Sequence, residues 1–161
     1  IAMVTGRYDI SSTGLKLIQE FEDFRANAYL DIKGIPTIGY GTTVYPNGVK
    51  VKLGDVCTRT QASAWFALDT KSVDTYLDKN VTVKKLTQNQ FDALASIIYN
   101  IGQSAFSRST LYRLLKAGDF KGAAEQFLVW DKVTINGKKQ ASKGLLNRRH
   151  KERTLFLKGM A

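Results

Sequence analysis

Leu15, Ile18 and Phe21 recur at spacings of three. That period predicts a helix from about Ser12 to Glu22. The pattern changes over residues 30–54. There Ile35, Ile38, Tyr40, Val44, Val49 and Val51 alternate among five glycines and both prolines of the chain. Alternation broken by turn residues predicts a small antiparallel sheet, with Pro46-Asn47-Gly48 as its clearest turn. All the rest reads helical. Thr58-Arg59-Thr60-Gln61 has the form of a capping box and opens a long helix to about Asp78. Thr87-Gln88-Asn89-Gln90 repeats that form before a helix over Phe91–Asn100, which Gly102 ends. Helices follow over Thr110–Lys116 and Phe120–Trp130, separated by Gly118. Ile135-Asn136-Gly137-Lys138 suggests a tight turn, and Ser142–Leu157 is the last helix, with Gly159 after it. The expectation is an α+β class, mostly helical, in a single domain over 1–161. Residues 12–57 form an N-terminal lobe with the sheet, 58–79 a connecting helix, and 80–161 a helical C-terminal lobe. A cleft between two lobes is a natural place for a ligand.

With 161 residues, 43% of them hydrophobic, the chain can build one core or two small lobes sharing a helix. No apolar run approaches the roughly 18 residues of a membrane span. No secretory pattern opens the chain, since Thr5-Gly6-Arg7-Tyr8-Asp9 is polar. Cys57 and His150 are each the only residue of their kind. An internal disulfide and a cysteine-based metal site are thereby excluded, and a zinc site and a Ser-His or Cys-His nucleophile pair are disfavoured. Charge is uneven. The chain carries +10, yet nine of its 24 basic residues and one of its 14 acidic ones, Glu152, lie in residues 132–161. A basic tail on a nearly neutral body points to a polyanionic partner: nucleic acid, anionic lipid or an acidic wall polymer. No RNP-like run or zinc-finger spacing supports nucleic acid.

One carboxylate faces the wrong way. On a helical wheel of about 100° per residue, Lys16, Gln19, Glu20 and Asp23 form the polar side of the first helix, whereas Glu22 falls among Leu15 and Ile18. A carboxyl partly out of water holds its proton more tightly, which suits a general acid. The competing reading is a buried structural Glu held by an Arg. Asp31 follows nine residues on, at the entry to the glycine-rich segment, and Thr37 six further. Glycoside hydrolysis needs one carboxyl to protonate the leaving oxygen and a second to manage the cation or a water. A hydroxyl on the next strand could hold that water, and glycines here would let the backbone approach a sugar ring. Taken singly, Asp31 also reads as an ordinary turn aspartate and Thr37 as a strand threonine.

The Glu22–Asp31–Thr37 spacing, running on into Thr37-Ile38-Gly39-Tyr40-Gly41, resembles the catalytic segment of glycoside hydrolase family 24, the T-even and lambdoid phage lysozymes. Three further segments resemble the same family: 90–102, 117–130 and 144–156. The resemblance implies a two-lobe fold with a cleft and hydrolysis of the β-1,4 bond between N-acetylmuramic acid and N-acetylglucosamine. It implies Glu22 as general acid, Asp31 as second carboxylate and Thr37 as the residue that helps place the water. Tyr99 and Asn100 match a segment lining the saccharide cleft, and Thr43, Thr110 and Gln126 match further sugar contacts. The T-even enzyme has a histidine where this chain has Thr42, which puts a structural histidine–carboxylate pair in doubt. In the last helix Arg148, Arg149 and Glu152 fall inside the apolar arc. An inward arginine is expected to pair with Glu22; the resemblance favours Arg148, Arg149 is equally inward on the wheel, and an Arg148–Glu152 structural pair is the competing reading. No cofactor and no metal are expected. The expected partner of a monomer is peptidoglycan, with anionic outer-membrane lipid as a further one through the basic segment and no nucleic acid. Such a protein is made in the host cytoplasm and acts on the wall in the periplasm. The alternatives are a lytic transglycosylase, or a cationic membrane- or nucleic-acid-binding module.

Overall fold

A computed structural model describes residues 9–81 and 86–158. Helix α1 spans Ser12–Glu22. Strands β1 (Arg25–Leu30) and β2 (Pro36–Gly39) form an antiparallel pair with Tyr29 opposite Thr37. The long helix α2 covers Arg59–Asn80 and α3 covers Gln88–Ile101. Short helices α4 (Gln103–Ser107), α5 (Thr110–Lys116) and α6 (Phe120–Gln126) follow. Strands β3 (Lys132–Ile135) and β4 (Lys138–Ala141) make a second antiparallel pair before α7, Lys143–Leu157.

The cap signals act as their chemistry requires. Thr58 and Thr87 each accept from the backbone N–H three residues on, while Gln61 and Gln90 return the bond to the cap's own N–H. Four expectations are corrected. Residues 25–30 are a strand, not helix: β1 pairs with β2, and Asn27 bridges Val56 on its other side. The expected sheet within residues 30–54 is reduced to β2 and isolated bridges, among them Val44 with Lys50 around the Pro46-Asn47-Gly48 turn. The Asn136-Gly137 turn is flanked by real strands, so the C-terminal part carries its own sheet. Both turn residues have positive φ, 52° and 79°, the geometry that a twisted two-residue hairpin loop demands. Finally, Phe120–Trp130 is not one helix, because α6 gives way at Phe127 to a 3-10 turn.

α3 is the central element. It packs against α1, α2 and α7, and every residue from Gln90 to Ile98 is buried. A helix buried all round must satisfy its polar groups internally. Gln90 does so in its cap, and Ser96 donates to Glu152 of α7. Asp92 accepts from the Ser11 backbone N–H at 3.0 Å and from the Ser11 hydroxyl, which caps α1. That contact fixes the start of α1. A β-carbon on Gly14 would fall 2.7 Å from the Asp92 carboxyl carbon, so a glycine there lets α1 approach α3 closely. The end of α1, and with it Glu22, is thus held from the core.

Candidate active site

α1 stops directly after Glu22. Asp23 adopts φ 48°, and its N–H closes back onto the Gln19 carbonyl at 3.2 Å. The Glu22 side chain is 17% exposed and Arg148 of α7 donates to its Oε2 from Nη1 at 2.8 Å. The Arg148 guanidinium also lies over the Phe21 ring, 4.6 Å from its centre. On the other side stands Gly41, at φ +95°. Its β-carbon would lie 2.8 Å from Glu22 Oε1 and 3.4 Å from the Tyr99 hydroxyl. The glycine therefore makes room for the carboxylate itself, where the sequence suggested room for a sugar ring.

Arg148 satisfies both readings of the last helix at once. Beyond Glu22 it donates from Nε to Glu152 Oε2 and from Nη2 to the Ser96 carbonyl, each at 3.2 Å. Arg149, fully buried, lies with Nε 2.9 Å from Glu152 Oε1 and donates from Nη2 to Asn100 Oδ1 at 2.7 Å. Two acids and two arginines thus alternate into the core, which pairs each buried charge. Burial lowers the Arg149 guanidinium to about 10, against the pull of Glu152. Burial raises the Glu152 carboxyl, and Arg149 and then Arg148 oppose that rise.

The β1–β2 hairpin carries the second group. Asp31 Oδ1 accepts from the backbone N–H of Lys33 and of Ile35, each at 2.8 Å, so Asp31 is indeed a turn aspartate. Its Oδ2 has no protein partner among the described residues. Thr37, 4% exposed, donates its hydroxyl to the Ile35 carbonyl at 2.9 Å. Its remaining lone pairs can only accept. Tyr29, opposite Thr37, was not singled out in the sequence. Burial first, then the charge of Glu22, raises its hydroxyl; Arg25, stacked 4.1 Å from its ring centre, opposes, and Asp31 and Asp23 add to the rise. The fields of Glu22 and Asp31 therefore meet on one phenol. The signal available beforehand was only its place two residues before Asp31.

Tyr99 is a strut behind Gly41. Its hydroxyl donates to the Tyr40 carbonyl at 2.7 Å, and burial with the charges of Glu22 and Asp69 pushes its pKa well up. Asn100 spends its oxygen on Arg149. Thr42, which stands where the T-even enzyme has a histidine, donates its hydroxyl to Asp69 Oδ2 at 2.9 Å. Asp69, raised by burial, was another residue the sequence reading missed. Thr43, Thr110 and Gln126 are not brought into this network: no side-chain hydrogen bond joins them to it. Thr110 is exposed at the start of α5, and Gln126 ends α6.

A family profile described as Phage lysozyme matches residues 19–152. The chain is 42% identical over 147 residues to an endolysin of Acyrthosiphon pisum secondary endosymbiont phage 1, spanning 91% of this chain and 97% of that one. It is also 42% identical over 148 residues to the endolysin of Salmonella phage P22, spanning 92% and 97%. Among solved structures, the endolysin from Escherichia coli O157:H7 phage FAHEc1 superposes with a TM-score of 0.85 at 41% identity, over 98% of each chain.

Proposed function

The chain belongs to the phage lysozyme family, and from that premise we propose that Glu22, Asp31 and Thr37 are its catalytic residues. It is a glycoside hydrolase, an endolysin with muramidase activity on peptidoglycan. One observation carries the assignment. Each of the three side chains is anchored through one atom and unspent at another: Glu22 through Oε2, Asp31 through Oδ1, Thr37 through its proton. Such half-committed groups are held still yet retain an atom for the substrate, which is what preorganised catalysis needs.

In the proposed step Glu22 gives a proton from Oε1 to the glycosidic oxygen as the bond to the anomeric carbon breaks. Asp31 Oδ2 faces the developing positive charge and accepts a proton from the attacking water. Thr37 accepts the other hydrogen of that water and orients its lone pair. The water oxygen becomes the new hydroxyl. Direct attack by water inverts the anomeric centre, so NMR of the first-formed product is expected to show the α-anomer; an initial β-anomer would replace direct displacement by a two-step route in which water attacks second. Tyr29, Tyr99 and Arg148 act by positioning, and Asn100, Thr43, Thr110 and Gln126 stay proposals for saccharide contact.

Glu22→Gln tests the reading. The amide keeps the shape and can still accept from Arg148, but it has no acidic proton. Lysis of permeabilised Gram-negative cells is expected to fall by more than about 100-fold with Tm nearly unchanged. Residual activity above about a tenth of wild type would exclude Glu22 as the acid. The proposal also includes synthesis in the host cytoplasm, action in the periplasm, and a monomer. No described helix is long and apolar enough to cross a membrane. Lipid binding by the basic segment is less favoured, because α7 is docked on α3.

A further inference from the structure

Beside the catalytic hairpin, but on the α2 side of it, lies a groove of about 360 Å³ lined by Tyr45, Lys52, Asp55, Val56, Gln61 and Trp65. None of these residues belongs to the Glu22 group. The glycine-rich segment separates the two places. Gly41 is pressed against Glu22, whereas a β-carbon on Gly39 would meet Ala62 of α2 at 2.9 Å and the Trp65 ring at 3.7 Å. We propose that this groove is a second, non-catalytic binding site for an N-acetylated amino-sugar unit of the peptidoglycan strand.

The groove is built, not incidental. The Tyr45 and Trp65 rings pack 5.0 Å apart and inclined at 56°, making one aromatic wall. Tyr45 donates its hydroxyl to Asp55 Oδ2 at 2.7 Å, and the Lys52 backbone N–H donates to the same oxygen at 3.1 Å. These bonds hold the floor rigid and leave polar atoms free above it. Trp65 Nε1–H, Lys52 Nζ, the Gln61 amide nitrogen and Asp55 Oδ1 make no hydrogen bond within the described residues. The set is three donors and one acceptor beside a ring face. Lys52 and Asp55 cancel, so the groove carries no net charge. A phosphate polymer would meet the Asp55 carboxylate, and an apolar peptide would strand the polar atoms. A neutral, hydroxyl- and acetamido-bearing ring satisfies them, with its apolar face on the indole.

α2 extends the site. Gln61, Trp65, Leu68, Ser72, Tyr76 and Lys79 follow at spacings of three and four, one stripe of the helix. This stripe is not the buried one, which runs through Ala62, Phe66, Val73 and Leu77. A second groove, of about 500 Å³, lies along it between Leu68 and Lys79. A polymer gripped at Trp65 would be led along α2 while another stretch of the wall meets Glu22.

The inference rests on the wall-hydrolase reading, and its test is arranged to fail separately. Glu22→Gln protein, inactive on that reading, is titrated with soluble glycan strands stripped of stem peptides. Trp130→Phe leaves Trp65 as the only tryptophan. Saturable change in Trp65 fluorescence is expected, and retention on purified sacculi is expected to weaken about fivefold in Trp65→Leu, a typical aromatic contribution. Trp65→Phe should restore most of it, and Lys52→Glu, at an exposed position that the fold does not need, should weaken it about threefold. In otherwise wild-type protein, both Trp65→Leu and Lys52→Glu should slow hydrolysis of sacculi and leave turnover of short soluble muramyl oligosaccharides unchanged. Trp65 fluorescence that does not respond to the strands, or retention that ignores these substitutions, would overturn the proposal. So would equal loss on both substrates, which would make Trp65 a residue of the fold.

Discussion

Replacing Gly41 by Ala asks two things of the chain at once. The residue sits at φ +95°, where a β-carbon costs about 1–2 kcal/mol, and that carbon would press on Glu22 Oε1. The strain should appear as stability lost, and the pressure as the acid displaced. Gly48 separates the two effects, because its φ is +87° and nothing lies within 4 Å of its would-be β-carbon. Gly41→Ala and Gly48→Ala are expected to lose similar stability in denaturant titrations. Only Gly41→Ala should lose lytic activity, by at least about tenfold, since displacements of an ångström at a reacting group are that expensive. Equal activity in the two variants would mean that Glu22 does not depend on its glycine neighbour. At the same scale, the Thr42 hydroxyl ties the glycine-rich segment to α2 through Asp69.

At the scale of elements, α7 reaches α1 through the fork of one arginine. Arg148 spends Nη1 on Glu22, Nε on Glu152 and Nη2 on Ser96, using the planar geometry that lysine lacks. Arg148→Lys keeps the charge but can satisfy fewer of these partners, and both carboxylates are largely buried. It is expected to lose about 2–3 kcal/mol of stability and about 100-fold in kcat, with KM little changed, because the acid loses its anchor. A variant with wild-type kcat would show that α1 alone holds Glu22. Strand β1 illustrates the opposite kind of element. Arg25-Ala26-Asn27-Ala28 alternates polar with only small apolar side chains, a weak signal, and pairing with β2 and Val56 makes the segment a strand.

The whole molecule revises the charge argument. Of the nine basic residues after 131, Arg148 and Arg149 are buried in the acid–arginine network, Arg153 pairs with Glu125 and Lys132 with Asp131. The steering face is therefore smaller than the count suggests. Lys138, Lys139, Lys143 and Lys158 remain exposed; Lys151 has its ammonium 5.8 Å from the Phe21 ring centre and is better left alone. Changing those four to Gln should slow lysis at low salt and flatten its salt dependence, as a Debye length near 8 Å screens such fields at about 0.15 M. Tm should hold. A salt profile parallel to the wild type's would assign these lysines to solubility alone.

Local order was legible in the chain itself: the limits of α1, both capping boxes, the Asn136-Gly137 turn and the inward turn of Glu22. Those features follow from spacings of two to four residues, where backbone geometry and cap chemistry leave few choices. The nine- and fifteen-residue intervals to Asp31 and Thr37 were legible as a pattern too, though not as an arrangement. Asp31 and Thr37 spend their atoms on neighbours two to four residues away, but tertiary structure alone decided which oxygen of Glu22 is spent. Glu22 and Arg148 are 126 residues apart, Tyr99 and Tyr40 are 59, and Thr42 and Asp69 are 27. No periodicity spans such distances, because the partner of a side chain at that range is set by how helices pack around α3, not by the chain that connects them.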